Sequence, residues 1–262
     1  MRKSSERIIP DQWQGSVEEQ LLYLRHVFAY EFALTMVKPG QEVLEIGSGD
    51  GYGTEMLCRA GATVVGLDLS AEAVTHASEK HKAANLTFVA YDGVHMPFAD
   101  NCFVLAVSFQ VIEHVEDVPL YLAEIHRVLA PGGTLLITTP NRAYRLRPGQ
   151  KPWNKFHRRE YDVAGLREEL RTRFDSVEVW GVRGTDEIQR VERARVAWAL
   201  KPGPAGAIRR IMPEWLRRML GRVMKRPASS PSGSTLRYKS SDYSVAKERV
   251  EDSLDLLAVC RK

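Results

Sequence analysis

One stretch decides the fold of this chain: Val43-Leu44-Glu45-Ile46-Gly47-Ser48-Gly49-Asp50-Gly51-Tyr52-Gly53. An apolar run of strand type ends at a carboxylate, breaks into alternating glycines and leads into a helical segment from Thr54. Glycines let the backbone approach a ligand closely, and the start of a helix offers unpaired N–H groups. A second strand at 63–68 also ends in an acid, Asp68, at the position that holds ribose hydroxyls in doubly wound sheets. The stretch therefore predicts a nucleoside-binding βαβ unit.

The spacing of the glycines argues against a dinucleotide ligand. A turn that receives a pyrophosphate needs Gly-x-Gly-x-x-Gly, whereas this loop reads Gly47-x-Gly49-x-Gly51 and has Tyr52 at the third position. Glu45 lies two residues before the first glycine, where a carboxylate would face a positive charge on the ligand. These departures fit S-adenosylmethionine, which carries an ammonium, a carboxylate and a sulfonium but no phosphate.

Downstream segments follow in a recognisable order: Phe88–Gly93, Met96–Phe103, Ala106–His114 and Leu129–Ile137. With the glycine loop, they resemble the class I S-adenosylmethionine-dependent methyltransferases. In that family the corresponding segments are the third strand, the lead-in to the fourth, the fourth strand with the loop beside the transfer site, and the turn into the fifth strand. The resemblance covers about 100 residues, and the order of the motifs is more specific than any one motif. Val104 departs from the family, which usually carries Asp there.

The resemblance implies S-adenosylmethionine as cofactor, with S-adenosylhomocysteine as product. Glu45 is expected to reach the methionine ammonium, Asp68 to accept both ribose hydroxyls, and Asp92 to hold the adenine amine. The alternative for Asp68 is an acid at a helix N-terminus, and the alternative for Asp92 is a plain turn acid. Gln110 is expected at the sulfonium end. The complete predicted set is Glu45, Gly47, Ser48, Gly49, Gly51, Tyr52, Asp68, Leu69, Asp92, Gly93, Val94 and Gln110.

Two histidines are candidates for the base that a hydroxyl acceptor needs, because a histidine of near-neutral pKa can take its proton. His114 follows Glu113 after the fourth strand, and His157 lies on the loop after the fifth, which covers the pocket in relatives. The predicted catalytic residues are His114, His157 and Glu113. Alternatively, each histidine only orders its own loop. No metal ligand is assigned, because acids at a helix start explain Glu116 and Asp117 more simply than a cation site with Glu113 does.

Strand and helix patterns alternate from Gln41 to about Gly184. This alternation predicts an α/β, Rossmann-like, mostly parallel sheet with helices on both faces. The resemblance implies seven strands, with the last one antiparallel beside the fifth. We predict a single domain over residues 1–262. Its parts are an N-terminal helical cap, a cofactor-binding core, a basic helical insertion or lid, and a final strand: 1–40, 41–184, 185–250 and 255–262.

Composition bounds the class of protein. Cys58, Cys102 and Cys260 are odd in number and widely spaced, which argues against a disulfide framework or a zinc site and fits a reducing cytoplasm. No segment approaches the roughly 18 continuous apolar residues of a membrane span. The start at Met1–Glu6 lacks the apolar stretch of a signal peptide. We expect a cytoplasmic protein, with peripheral membrane contact left open.

Two basic segments are the clues to the acceptor. Residues 142–159 contain arginines and lysines without any acid, and we expect them over the carboxyl ends of the strands. They favour an anionic acceptor, although a solvated charge run is the alternative. Residues 213–226 form a predicted basic amphipathic helix, followed by a soft linker at 227–234. That helix would contact an anionic membrane surface, cover the domain as a lid or form a dimer contact, so the oligomeric state stays open.

Looser resemblances suggest a substrate class. Similar segments occur in methyltransferases of bacterial surface-polysaccharide and glycolipid biosynthesis and, for the last segment, in quinone-type O-methyltransferases: Glu6–Pro10, Tyr30, Phe32-Ala33, Phe156–Tyr161 and Thr138–Asn141. The implied function is O-methylation of a small-molecule, sugar or lipid-linked hydroxyl. One alternative is a nucleic-acid methyltransferase, which would carry Asn/Asp-Pro-Pro-aromatic where Gln110–Glu113 stands. The other is a non-catalytic cofactor-binding adaptor at a membrane surface.

Overall fold

The structure, a computed structural model, describes residues 17–200 and 237–262. Within these residues the chain forms an eight-stranded sheet with the strand order β3-β2-β1-β4-β5-β8-β6-β7. The strands are β1 Glu42–Ile46, β2 Thr63–Asp68, β3 Leu86–Ala90, β4 Phe103–Phe109, β5 Leu129–Pro140, β6 Ser176–Gly184, β7 Tyr243–Ala246 and β8 Asp255–Arg261. The helices are α1 Val17–Leu34, α2 Tyr52–Arg59, α3 Ala71–Lys80, α4 Val118–Val128, α5 Arg142–Arg145, α6 Val163–Arg171 and α7 Asp186–Ala199.

Strand pairing confirms the predicted α/β class. Strands β1 to β5 pair in parallel, and β8 lies between β5 and β6, antiparallel to both. The predicted count of seven strands is one short, because β7 pairs with the end of β6 at the sheet edge. With four residues in a polar segment, β7 carries too little pattern to be recognised from the sequence.

Both faces of β1 are buried, as expected for a parallel strand between two layers of helices. Val43 packs in the core on the side of α1 and α2, where Leu21 and Leu57 lie. Its neighbour Leu44 packs in the opposite core, which includes Leu122 of α4. Because the strand is held from both sides, the loop that follows it starts from a fixed position.

Short polar side chains begin three of the helices. Ser70, Asp117 and Asp162 each accept a hydrogen bond from a backbone N–H three residues later, at the starts of α3, α4 and α6. Such caps satisfy N–H groups that have no partner inside the helix. The first two caps lie at the carboxyl ends of parallel strands and so help to shape the edge where ligands bind in this class of sheet.

Several predicted features lie outside the described residues. These are the opening segment Glu6–Pro10, the basic amphipathic helix at 213–226 and the linker at 227–234. The described part of the predicted insertion at 185–250 contains α7 and β7. Among the described helices, none is both long and apolar enough to cross a membrane.

Candidate cofactor pocket and active site

The loop after β1 turns sharply because its glycines have positive φ angles, 84° at Gly47, 55° at Gly49 and 82° at Gly51. Residues with a side chain rarely adopt such angles. Space is restricted as well, since a Cβ atom on Gly47 would lie 2.5 Å from the side chain of Val111. A Cβ atom on Gly51 would lie 2.7 Å from the ring of Phe88. The chain therefore needs glycine at 47 and 51 for both reasons.

Asp68 ends β2 beside this loop, and its side chain is buried. Its Oδ2 accepts a hydrogen bond from the N–H of Gly49 at 2.9 Å, and its Oδ1 accepts one from the N–H of Ser70 at 2.8 Å. The carboxylate thus joins the glycine loop to the start of α3. In doubly wound sheets an acid at this strand end is the type of group that accepts ribose hydroxyls.

Glu45 points into the protein beneath the glycine loop and is 1% exposed. The hydroxyl of Tyr30 donates to its Oε1 at 2.5 Å, and the hydroxyl of Thr54 donates to its Oε2 at 2.5 Å. Burial raises the pKa of Glu45 to about 7, although the two hydrogen bonds act in the opposite direction. A ligand ammonium nearby would favour the ionised form.

Tyr52 begins α2 and packs against α1. Its ring centroid lies 5.6 Å from that of Tyr23 and 5.5 Å from that of Tyr30. Burial raises the pKa of its phenol. The ring therefore couples the first helix to the glycine loop, whatever contact it makes with a ligand.

The segment after β3 carries the residues predicted for the adenine. Asp92 is exposed, and its Oδ1 accepts hydrogen bonds from the N–H groups of Val94 and His95 at 2.8 and 2.9 Å. These bonds hold the pKa of Asp92 below its usual range. Gly93 adjoins Leu69, since a Cβ atom on Gly93 would lie 2.7 Å from the Leu69 side chain. Leu69 is 65% exposed and Val94 is 41% exposed, so two apolar side chains border this acid in contact with solvent.

The glycine loop, Asp68 at the end of β2, Asp92 after β3, and the exposed side chains of Leu69 and Val94 fit an adenosyl amino acid. The hydroxyl of Ser48 is buried and has no hydrogen-bond partner among the described residues. Buried polar groups without a partner are rare in proteins, and a bound polar ligand is one way to satisfy them. Glu45, Asp68 and Asp92 would hold the ammonium, the ribose and the adenine in turn.

Gln110 follows β4 with a φ angle of 57°, which is uncommon for a residue with a side chain. Its Nε2 donates to Oδ2 of Asp255 at 3.2 Å and to Oγ1 of Thr138 at 3.4 Å. The same Oδ2 of Asp255 lies 2.8 Å from Nε of Arg25 in a buried ion pair. Gln110 is thereby connected to α1 and to the first residue of β8.

The predicted catalytic residues lie together. One potential ligand atom each from Glu113, His114 and His157 lies within 4.8 Å of the others. The centroids of the two imidazole rings are 4.9 Å apart, with the ring planes at 80°. His114 Nδ1 lies 3.1 Å from the carbonyl oxygen of Phe156, and His157 Nδ1 lies 2.8 Å from Oε1 of Glu160.

Glu113 is the most buried member of this cluster, at 1% exposure. Its Oε2 accepts a hydrogen bond from the hydroxyl of Thr139 at 3.0 Å. Burial raises the pKa of Glu113 to about 8. The cluster therefore combines a buried carboxyl group of raised pKa with two imidazole rings, and perturbed groups of this kind are typical of functional sites.

Sequence reasoning missed a set of buried charged residues behind this cluster. Arg25 pairs with Asp255, and Arg145 pairs with Glu160 at 3.3 Å, all four with little exposure. The guanidinium of Arg145 also lies 4.6 Å from the ring centroid of Trp153. Arg25 stands between apolar residues of α1, and such a charge on a buried helix face is a signal that could have been noticed.

The basic segment 142–159 is less uniformly charged in space than in sequence. Arg142 lies 3.8 Å from Asp162, and Arg158 lies 2.9 Å from Glu116, so acids from outside the segment approach it. The exposed cations of the segment are Arg147, Lys151, Lys155 and Arg158.

Residues at the end of α3 contact the glycine loop. His81 is buried there, with Nε2 lying 3.0 Å from the carbonyl oxygen of Asp50. The side chain of Asp50 lies 3.0 Å from His76 and 2.8 Å from Lys80. These contacts tie the loop to the end of α3, which no local pattern in the sequence indicates.

Comparison with known proteins identifies relatives. A family model described as a methyltransferase domain matches residues 44–137. A probable S-adenosylmethionine-dependent methyltransferase of Mycolicibacterium smegmatis is 32% identical over 267 residues, which cover 98% of this chain and 93% of that protein. A fatty-acid O-methyltransferase of the same organism is 35% identical over 107 residues, covering 40% of this chain and 39% of that protein.

A solved structure agrees in fold. The S-adenosylmethionine-dependent methyltransferase of Mesorhizobium loti superposes with a TM-score of 0.53 at 17% identity, over 89% of this chain and 98% of that chain. This likeness concerns the fold alone. Membership of a family is shown by the near full-length similarity to the Mycolicibacterium smegmatis relative, and the family model that matches the core strands supports it. The chain belongs to the S-adenosylmethionine-dependent methyltransferases, and S-adenosylmethionine is its cofactor.

Proposed function

We propose that the protein transfers the methyl group of S-adenosylmethionine to a hydroxyl on a small-molecule, sugar or lipid-linked acceptor. The observation that carries the proposal is the cluster of Glu113, His114 and His157 on the loops after β4 and β5. These loops follow the carboxyl ends of parallel strands, where ligands bind in this class of sheet. A hydroxyl must lose its proton on methylation, and the cluster supplies groups that can take it.

In this proposal, residues of the first half of the chain hold the donor. Glu45 faces the ammonium, Asp68 accepts the ribose hydroxyls, and Asp92 pairs with the adenine amine. When bound, the cofactor supplies an electrophilic methyl group on a sulfonium. The positive charge disappears on transfer, so the main tasks of the protein are alignment of the acceptor and exclusion of water. Gln110, held by Asp255, would border the sulfonium end of the pocket.

The hydrogen bonds of the two histidines indicate which nitrogen takes the proton. The carbonyl of Phe156 can only accept, so Nδ1 of His114 carries a hydrogen and the neutral ring has its lone pair on Nε2. The same argument applies to His157, whose Nδ1 faces Oε1 of Glu160. Proton removal is therefore assigned to Nε2 of these two rings.

The nature of the acceptor is proposed from the surroundings of the cluster. Lys151 and Lys155 are exposed on the segment that carries His157, and Lys155 lies over the half-exposed ring of Phe156 at 4.6 Å. A surface that combines cations with an aromatic ring favours an acceptor with both anionic and apolar parts, such as a phosphate- or lipid-linked molecule. The relative that acts on fatty acids supports an acceptor with a lipid part.

The proposal is tested with donor carrying a tritium-labelled methyl group. Purified protein and donor are incubated with an extract of the cells that encode the protein, and lipids, glycans with nucleotide sugars, and nucleic acids are then separated. We expect label in the lipid or glycan fraction. His157→Ala should keep donor affinity but slow transfer, whereas His126→Ala, a control on α4, should transfer at the wild-type rate. Label in the nucleic acids alone would overturn the acceptor class.

A further inference from the structure

We infer that Glu113, His114 and His157 together form a binding site for one divalent transition-metal cation. The inference deepens the proposed function, and only its catalytic part rests on that function. No metal ligand was assigned from the sequence, and the fold brings together these three residues from two separate loops. Two imidazoles and one carboxylate on one side of a cation leave positions open for a substrate oxygen.

The distances are close to those that a cation requires. Bonds from nitrogen or oxygen ligands to such a cation are about 2.1 Å, so ligands on one side of it, separated by about 90–110°, lie about 3.0–3.4 Å apart. The three potential ligand atoms lie within 4.8 Å of one another. Rotations that shift each ligand atom by up to about 1 Å, about the size of ordinary side-chain motion, would bring them to a common cation.

Backbone hydrogen bonds hold the two loops in this arrangement. The N–H groups of Arg158 and Arg159 donate to the carbonyl oxygen of Glu113 at 2.9 and 3.4 Å. In the other direction, the ring of His114 bonds to the carbonyl of Phe156. The residues on either side of His157 are therefore attached directly to the pair Glu113 and His114. A site built in this way is positioned before a ligand arrives, as binding sites for metals generally are.

The partners of the two rings are those found behind metal-binding histidines. Such a histidine almost always donates its second N–H to a carbonyl or carboxylate, which fixes the tautomer and aims the other nitrogen at the metal. His114 has a backbone carbonyl in this role, and His157 has the buried carboxylate of Glu160. A single histidine with such a partner is common. Two such histidines in contact with each other, beside the buried carboxylate of Glu113, favour a cation independently of the distances between the ligand atoms.

The ligand types select the class of cation. Magnesium and calcium prefer sites made of oxygen atoms, whereas imidazole nitrogens suit zinc, iron, cobalt and nickel. The ionised Glu113 would offset one of the two positive charges, and Glu160 behind His157 is a further acid nearby. Arg145 pairs with Glu160 and so reduces that contribution. The expected ion is therefore a transition-metal dication of moderate affinity.

The catalytic consequence follows from coordination. A hydroxyl bound to the cation becomes more acidic, as water does on zinc. Because the cation occupies the second nitrogen of each imidazole, the proton passes to solvent water, and the oxygen keeps the electron pair that forms the bond to the methyl group. The cation undergoes no change of oxidation state, so the step needs no additional reactant. In this way the cation would carry out the deprotonation that the cluster is proposed to perform.

The experiment uses cobalt(II), whose visible absorption reports nitrogen ligands directly. Full-length protein is stripped with a chelator, desalted and titrated with cobalt chloride. The variants are His114→Ala, His157→Ala and Glu113→Gln. His126→Ala is the matched histidine control, because it removes an imidazole from α4 without touching the cluster. The affinity for S-adenosylhomocysteine is measured on every sample, so that a variant with an altered fold is recognised.

We expect one equivalent of cobalt to bind to wild type and to His126→Ala, with absorption bands typical of nitrogen ligands. Each of the three cluster variants should bind at least 10-fold more weakly while its affinity for S-adenosylhomocysteine stays within about 3-fold of wild type. Protein that binds S-adenosylhomocysteine but not cobalt would overturn this inference and leave the methyltransferase assignment intact. Equal cobalt affinity in wild type and in both histidine variants would overturn it as well.

Discussion

The substitution Asp68→Asn tests the proposed cofactor pocket with little change in shape. The two oxygens of Asp68 each accept one backbone N–H, from Gly49 at 2.9 Å and from Ser70 at 2.8 Å. An asparagine has one oxygen and one NH₂ group at these positions, so it can satisfy one N–H but must direct a donor at the other. It also removes the negative charge that is proposed to accept the two ribose hydroxyls.

The expected loss of affinity follows from those hydroxyls. A hydrogen bond to a charged acceptor contributes about 1.5–3 kcal/mol, so two of them represent about 3–6 kcal/mol. With about 1.4 kcal/mol for each factor of ten, the dissociation constant should rise by about 10² to 10⁴. In the free Asp68→Asn protein, the NH₂ group of asparagine faces a backbone N–H, which lowers the free energy of unfolding by about 1–3 kcal/mol. The melting temperature falls accordingly, but the protein stays folded.

The assay is calorimetric titration with S-adenosylhomocysteine, which is stable and lacks the reactive methyl group. Asp162→Asn is the matched control, because Asp162 also accepts a backbone N–H, from Gly165 at 2.9 Å, and asparagine caps a helix equally well. Its dissociation constant should equal that of wild type. An Asp68→Asn protein that binds with wild-type affinity would falsify the assignment of Asp68 to the ribose.

Three further predictions concern the surroundings of the pocket. A Cβ atom at Gly53 would lie 2.0 Å from the ring of Tyr30, so Gly53→Ala should lower the free energy of unfolding by about 1–3 kcal/mol or more; a wild-type urea midpoint would contradict this packing. His157→Ala should reduce the rate of methyl transfer by about 10²–10⁴ with donor affinity kept, as steady-state and binding measurements would show; a wild-type rate would exclude it from catalysis. Burial raises the pKa of Glu45 to about 7 in the folded protein, from about 4.5 in the unfolded chain. The neutral carboxyl therefore stabilises the cofactor-free fold at low pH, and this stabilisation is lost as the pH rises from about 4.5 through 7. The free energy of unfolding of Glu45→Gln, minus that of wild type, should therefore increase by about 3 kcal/mol from about pH 4 to pH 8. Urea unfolding at both pH values measures this difference, and a difference independent of pH would refute the argument.

The fold could be predicted from the sequence wherever the signal is local. The strand, glycine loop and helix at 43–59 follow from apolar runs, glycines and one strand-end acid, and the structure has β1 and α2 there. The alternation of strands and helices also determined the class of sheet. β7 was missed, because its pairing with β6 depends on a return of the chain that a four-residue pattern does not indicate.

The site likewise contains residues that local sequence predicts and residues that only the fold brings together. Asp68 was recognised as a candidate because its position follows directly from the end of a strand. The buried pair of Arg25 and Asp255 joins α1 to β8, and no pattern along the chain links residues so far apart. The proximity of His114 and His157 was expected only from a resemblance in the loops, and the bonds of His114 to Phe156 and of His157 to Glu160 became visible only in the fold. Contacts of this kind depend on tertiary packing, so they require the structure.

The most direct test of the proposed chemistry is the identity of the atom that receives the methyl group. Donor labelled with carbon-13 in the methyl group is incubated with the protein and the acceptor fraction that takes up label, and the product is examined by NMR. The chemical shift and couplings of the labelled carbon distinguish a methyl group on oxygen from one on nitrogen, carbon or sulfur. We predict a methyl group bonded to oxygen. A methyl group bonded to nitrogen or carbon would contradict the proposed O-methylation while leaving the protein within its family.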